Sequence, residues 1–90
     1  MWYRCGGNRV EVNVRSIVWT YADVQTECRR LAVSPGGADG AARVLCGEIV
    51  GRESDLGARA ARYRTEGLVI RGIGPNVEID GQRCTPELAR

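Results

Sequence analysis

All thirteen basic residues of this chain are arginine; it has no lysine and no histidine. That absence removes whole classes of chemistry. A Ser-His-Asp triad, a histidine-bearing zinc site, a Schiff-base lysine and a phosphate-cradling P-loop lysine cannot be built. Chemistry is left to four cysteines (Cys5, Cys28, Cys46 and Cys84), eleven carboxylates, the arginines and five aromatic rings. A nucleophilic cysteine would lack a histidine base, and no pair of carboxylates stands out by spacing, so the chain does not read as an enzyme. Gly72-Ile73-Gly74 lacks the third glycine of a dinucleotide fingerprint and runs into Pro75, so it reads as a hairpin loop. No cofactor is expected.

No two cysteines stand at CxxC spacing, which disfavours a zinc knuckle or a redox motif. An all-cysteine zinc site would need all four to converge without a local pair. Two disulfides suit a 90-residue chain better, because so small a domain buries little apolar surface unaided. Three connectivities are possible. The nested one, Cys5–Cys84 with Cys28–Cys46, is expected: the terminal cysteines sit on candidate strands beside tight turns, and the other two flank one loop. Each bridge would stabilise by about 3 to 5 kcal/mol on the chain-entropy view. Disulfides imply an oxidising compartment, hence a periplasmic or extracellular protein. The alternative is a cytosolic protein with four free thiols. The longest unbroken apolar run is three residues, so neither a signal peptide nor a membrane span is expected, and an exported form would already have lost its signal.

The net charge of +2 is too small to point to nucleic acid. The densest arginines, Arg52, Arg59, Arg62, Arg64 and Arg71, are interleaved with Glu53, Asp55 and Glu66, which would offset them as a salt-bridged face. Tyr63, between Arg62 and Arg64, fits either a stacking surface or the rim of a core. Trp2, Tyr3, Trp19 and Tyr21 fit either a sugar-binding patch or core packing.

The elements that must position these side chains follow from patterning. Val and Ile outnumber Leu fifteen to five, which favours strands. Residues 2 to 19 read as a hairpin turning at Gly6-Gly7-Asn8, with Val10, Val12 and Val14 on one face. Residues 21 to 33 read as a helix: Thr20 as N-cap, Asp23 near a capping box, and Val24, Cys28 and Leu31 as one stripe. Ser34 to Gly40 reads as a surface loop. Residues 41 to 64 fit helix or strand; a strand over 43 to 50 followed by a loop is preferred, because Gly47, Gly51 and Gly57 break a long helix. Residues 67 to 85 read as strands, with a loop over Gly72 to Asn76 and a type I′ turn at Asp80-Gly81. Pro86 is placed to begin a helical turn. The fold expected is α+β leaning to β: one domain over 1–90, a small antiparallel sheet or barrel with one helix near 21–33, stapled by two disulfides.

Two segments carry a family resemblance. Tyr3-Arg4-Cys5, then Gly7 and Arg9-Val10-Glu11-Val12, resembles the first strands of the bacterial membrane-bound and periplasmic C-type lysozyme inhibitors, which open with a Tyr-x-Cys strand, a Gly turn and a Val-rich strand. Ala61-Arg62-Tyr63 resembles the last three residues of their Gly-Ala-Arg-Tyr box, with Ala60 in the Gly place and Arg59 in that of a preceding Ser. Gly67 to Gly74, then Val77-Glu78-Ile79-Asp80-Gly81-Gln82-Arg83-Cys84, resembles their closing hairpin. The resemblance covers roughly half of the chain. It implies an antiparallel barrel without a mid-chain helix, and a last cysteine paired with the first. It also implies inhibition through a Lys-Gly pair. Ile73-Gly74 stands at that place here, and Arg71-Gly72 lies two residues earlier.

The function expected is that of a secreted or periplasmic binding protein, inhibiting a lysozyme-like hydrolase by inserting a loop into its acidic cleft. The alternative is a non-catalytic structural or immunity-type module. The candidate contact residues are Arg59, Arg62, Tyr63, Arg71, Gly72 and Gly74. The partner is a protein, without nucleic acid.

Overall fold

The computed structural model of the chain describes residues 1–36 and 40–87. Among the described residues ten strands form one antiparallel sheet: β1 (Trp2–Cys5), β2 (Asn8–Val12), β3 (Ser16–Tyr21), β4 (Val24–Arg29), β5 (Ala32–Ser34), β6 (Ala42–Leu45), β7 (Glu48–Gly51), β8 (Leu68–Ile73), β9 (Asn76–Ile79) and β10 (Gln82–Pro86). A 3₁₀ turn over Glu53–Asp55 and one helix, α1 (Arg59–Thr65), are set between β7 and β8.

The sheet order is β5-β6-β8-β9-β10-β1-β2-β3-β4-β7. Its two end strands are continuations of other members. One register runs through β4–β7 and β5–β6, from Thr26 opposite Gly51 to Ser34 opposite Arg43. The four are therefore halves of one long hairpin, kinked at Arg30, which has a φ of 54°. One half pairs with β3 and the other with β8, so the sheet curls back on itself as a barrel wall. The 3₁₀ turn and α1 lie against this wall, sending Leu56, Ala60 and Tyr63 into the core beside Trp19, Leu68 and Ile17.

The disulfides are Cys5–Cys84, joining β1 to β10, and Cys28–Cys46, bracing the kinked hairpin. All four sulfurs are thereby engaged, so no thiolate is left for zinc. Among the described residues no helix is long and apolar enough to cross a membrane.

The helix expected over 21–33 is absent. Ala22 and Asp23, at φ 49° and 65°, make a two-residue turn between β3 and β4, with Tyr21 opposite Val24. Val24 and Cys28 do share a face, but a spacing of four is a multiple of two as well as a helical spacing. Thr26, between them, is also buried, while Gln25 and Arg29 are exposed, which is strand periodicity. The mid-chain helix stands instead at Arg59–Thr65, where a loop was expected. The strand expected over 43–50 is two strands parted at Cys46-Gly47.

Val10 is 2% exposed but Val14 is 92% exposed, because β2 ends at Val12. The loop over Gly72 to Asn76 is shorter than expected: β8 runs through Gly72 to Ile73, leaving Gly74-Pro75 as the turn. Asp80-Gly81 is a two-residue turn with both φ positive, 52° and 82°, as the sequence predicts. Pro86 extends β10 rather than starting a helix. Part of the Ser34–Gly40 loop and the last three residues lie outside the described residues.

Candidate functional site

Helix α1 is short, and its residues take three directions. Ala60 and Tyr63, three apart, face the core. Arg59 and Arg62, also three apart, flank them. Arg64 faces solvent and pairs with Glu53.

Arg59 reaches back over the preceding turn. Its Nε donates to the Leu56 carbonyl at 3.1 Å and its Nη2 to the Asp55 carbonyl at 3.1 Å. The Leu56 carbonyl also accepts the backbone N–H of Arg59 at 3.1 Å, so the guanidinium adds a second tie between this turn and the start of α1. Arg59 forms no ion pair among the described residues.

Arg62 donates through Nη1 and Nη2 to the two carboxylate oxygens of Asp80, both at 2.9 Å. This forked geometry is the strongest that arginine and a carboxylate can form. Tyr63 is 1% exposed. Its ring stacks on Trp19 at 5.6 Å between centroids, and its hydroxyl donates to Asp80 Oδ2 at 2.6 Å. Asp80 therefore does two jobs. Its backbone turns β9 into β10, and its carboxylate ties that turn to α1. The Arg62 guanidinium also lies 5.3 Å over the Tyr63 ring.

Arg71 sits on β8, opposite Glu78 on β9, and donates to its carboxylate at 2.9 Å. Gly72 follows it in the strand, and Gly74 forms the turn at the far end of the hairpin. Asp80 lies at the other end of β9, a four-residue strand spanning roughly 13 Å. The fold thus brings Arg59, Arg62 and Tyr63 together around Asp80, and spreads Arg71, Gly72 and Gly74 along the neighbouring hairpin. Tyr63 belongs to the core and acts by positioning Asp80 and Arg62. Arg52, Arg62, Arg64 and Arg71 are paired with acids, but the partners of Arg62 and Arg71 are Asp80 and Glu78, not the acids beside them in sequence.

Sequence reasoning missed Asp80 as more than a turn residue. Its partners lie 17 and 18 positions away, a separation that leaves no local signal. It also missed Asn8, Thr26 and Leu56, which line the barrel mouth with Arg59.

The cluster carries a pH signature. Burial pushes the Asp80 carboxyl up, but hydrogen bonds from Arg62 and Tyr63 outweigh it and hold it below its ordinary value of 3.8. Burial, then the hydrogen bond to Asp80, pushes the Tyr63 phenol from 10.0 to about 12. A depressed carboxyl stabilises the fold above its unfolded pKa, and that contribution goes as pH falls through the lower folded value. A raised phenol stabilises below pH 10, and that contribution goes as pH climbs toward 12. The unfolding free energy of the oxidised protein is therefore expected to fall in both windows. Urea titrations across pH check this: Tyr63→Phe should flatten the alkaline limb and Asp80→Asn the acid one.

No family model, no curated protein and no solved structure matches this chain.

Proposed function

We propose that the chain is a secreted or periplasmic binding protein that inhibits a lysozyme-like, glycan-cleaving hydrolase. The two disulfides support the oxidising compartment. The antiparallel sheet and the Cys5–Cys84 bridge are features the resemblance implies, whereas helix α1 in mid-chain is not. The observation that carries the reading is the fixing of cationic side chains on a stapled wall. Arg59 is held by two carbonyls and Arg62 by Asp80, while Arg71 is held by Glu78. Side chains already ordered lose less entropy on binding. Arg59 in particular, which has no carboxylate partner among the described residues, offers its guanidinium to the acids of a catalytic cleft.

A lysozyme turbidity assay tests this. The wild-type chain should inhibit, and Arg59→Ala and Arg71→Ala should each cost about 2 to 5 kcal/mol of affinity if they enter a desolvated cleft, against under about 1 for a solvated rim. Absence of inhibition against a panel of C-type lysozymes would overturn the reading. A second reading, a structural or immunity-type module, is favoured by the internal neutralisation of Arg62, Arg64 and Arg71 by Asp80, Glu53 and Glu78. It predicts no inhibition by any variant.

A further inference from the structure

A pocket of about 180 Å³ opens at the barrel mouth under the 3₁₀ turn. Its wall is made of strand residues: Asn8 from β2, Trp19 and Tyr21 from β3, and Thr26 from β4. Asp55, Leu56 and Arg59 form its lid. We propose that this mouth binds a single neutral sugar ring.

Size comes first. A dry cavity of about 150 Å³ accepts one benzene molecule, so this space suits one six-membered ring with its substituents reaching the opening. Barrel mouths are also a recurrent place for small ligands.

Chemistry narrows the class. The wall carries donors and acceptors side by side: a guanidinium and an amide, a hydroxyl and a carboxylate. Sugar hydroxyls donate and accept at once and can satisfy both kinds. A free anion would meet Asp55. An apolar ring would strip water from these polar groups without replacing it. The aromatic wall matches the apolar C–H face of a pyranose.

Part of the wall is fixed and part of it is unspent. Thr26 donates its hydroxyl proton to the Arg52 carbonyl at 2.6 Å, which leaves its lone pairs to accept. Asp55 is held by Arg52 at 3.3 Å, and Trp19 is clamped on Tyr63. Among the described residues the Asn8 amide, the Trp19 indole N–H and the Tyr21 hydroxyl make no hydrogen bond within the protein. Tyr21 is 56% exposed, so its ring is open to solvent at the edge of the mouth.

The inference stands apart from the inhibitor reading, since only Arg59 is shared and the test uses other residues. The ¹⁵N-labelled, oxidised chain is titrated with glucose, galactose, mannose and N-acetylglucosamine, each to ~50 mM, a range that reports millimolar affinity. Acetate is the anionic control. At least one sugar should shift the Trp19 indole and Asn8 amide signals saturably, while acetate does not. Asn8→Ala and Tyr21→Ala, with otherwise unchanged spectra, should each weaken binding at least about tenfold. The proposal falls if none of the four sugars gives a saturable shift, if acetate shifts these signals as the sugar does, or if both variants bind as the wild type. Lysozyme inhibition by Asn8→Ala and Tyr21→Ala reports on the other reading separately.

Discussion

Removing the Cys5–Cys84 bridge as Cys5→Ala/Cys84→Ala is expected to cost about 4.5 kcal/mol, and removing Cys28–Cys46 in the same way about 3. The difference comes from the chain enclosed, 79 residues against 18. Longer loops lose more freedom in the unfolded state when they are closed. Alanine is the informative replacement because both terminal cysteines are buried, and a serine would add an unsatisfied hydroxyl. In the native state β1 and β10 remain paired through Tyr3 with Pro86 and Arg4 with Thr85, so the ladder survives without the bridge. A small domain has only about 5 to 15 kcal/mol in total. The first variant should therefore unfold at markedly lower urea than the second. The opposite order would mean that the brace at the Arg30 kink outweighs chain entropy.

That ranking was accessible before the fold was, because it needs only the pairing. The β9–β10 turn was equally accessible, since Asp80-Gly81 meets the demand of a type I′ turn for two positive φ values. The β3–β4 turn was not. Ala22 carries no signal for positive φ, yet adopts 49°, held there by the six paired positions that follow on either side. Tertiary pairing overrides local preference at that point. Helix α1 escaped for a different reason. With seven residues it shows only two core-facing positions, too few for a period to declare itself.

The site divides in the same way. Arg59, Arg62 and Tyr63 were legible as a dense cationic segment. Their anchoring was not, because it depends on where β9 ends relative to α1. Sequence neighbours Glu53, Asp55 and Glu66 looked like the natural counter-charges, and Glu53 does take Arg64. The fold, however, turns Arg62 away from that run and onto Asp80. A charge pattern read along the chain finds the cation but not its partner.

The sharpest consequence of that anchoring concerns Tyr63. Tyr63→Ala is expected to destabilise by about 3 to 5 kcal/mol, the range for deleting a buried aromatic side chain. The ring lies in the core between α1 and the sheet, stacked on Trp19. Tyr63→Phe keeps the ring and removes only the hydroxyl, which donates to a carboxylate, so it should cost about 1.5 to 3 kcal/mol. Asp80→Asn tests the other half. Asparagine tolerates the left-handed backbone of this turn, so any loss reports the charge and not the fold of the turn. If the hydroxyl and the carboxylate act as one unit, the double variant should be less destabilised than the two single losses added together, by at least about 0.5 kcal/mol. Urea unfolding of the four proteins, with both disulfides intact, measures this directly. Strict additivity would mean that the hydroxyl and the carboxylate stabilise the fold independently.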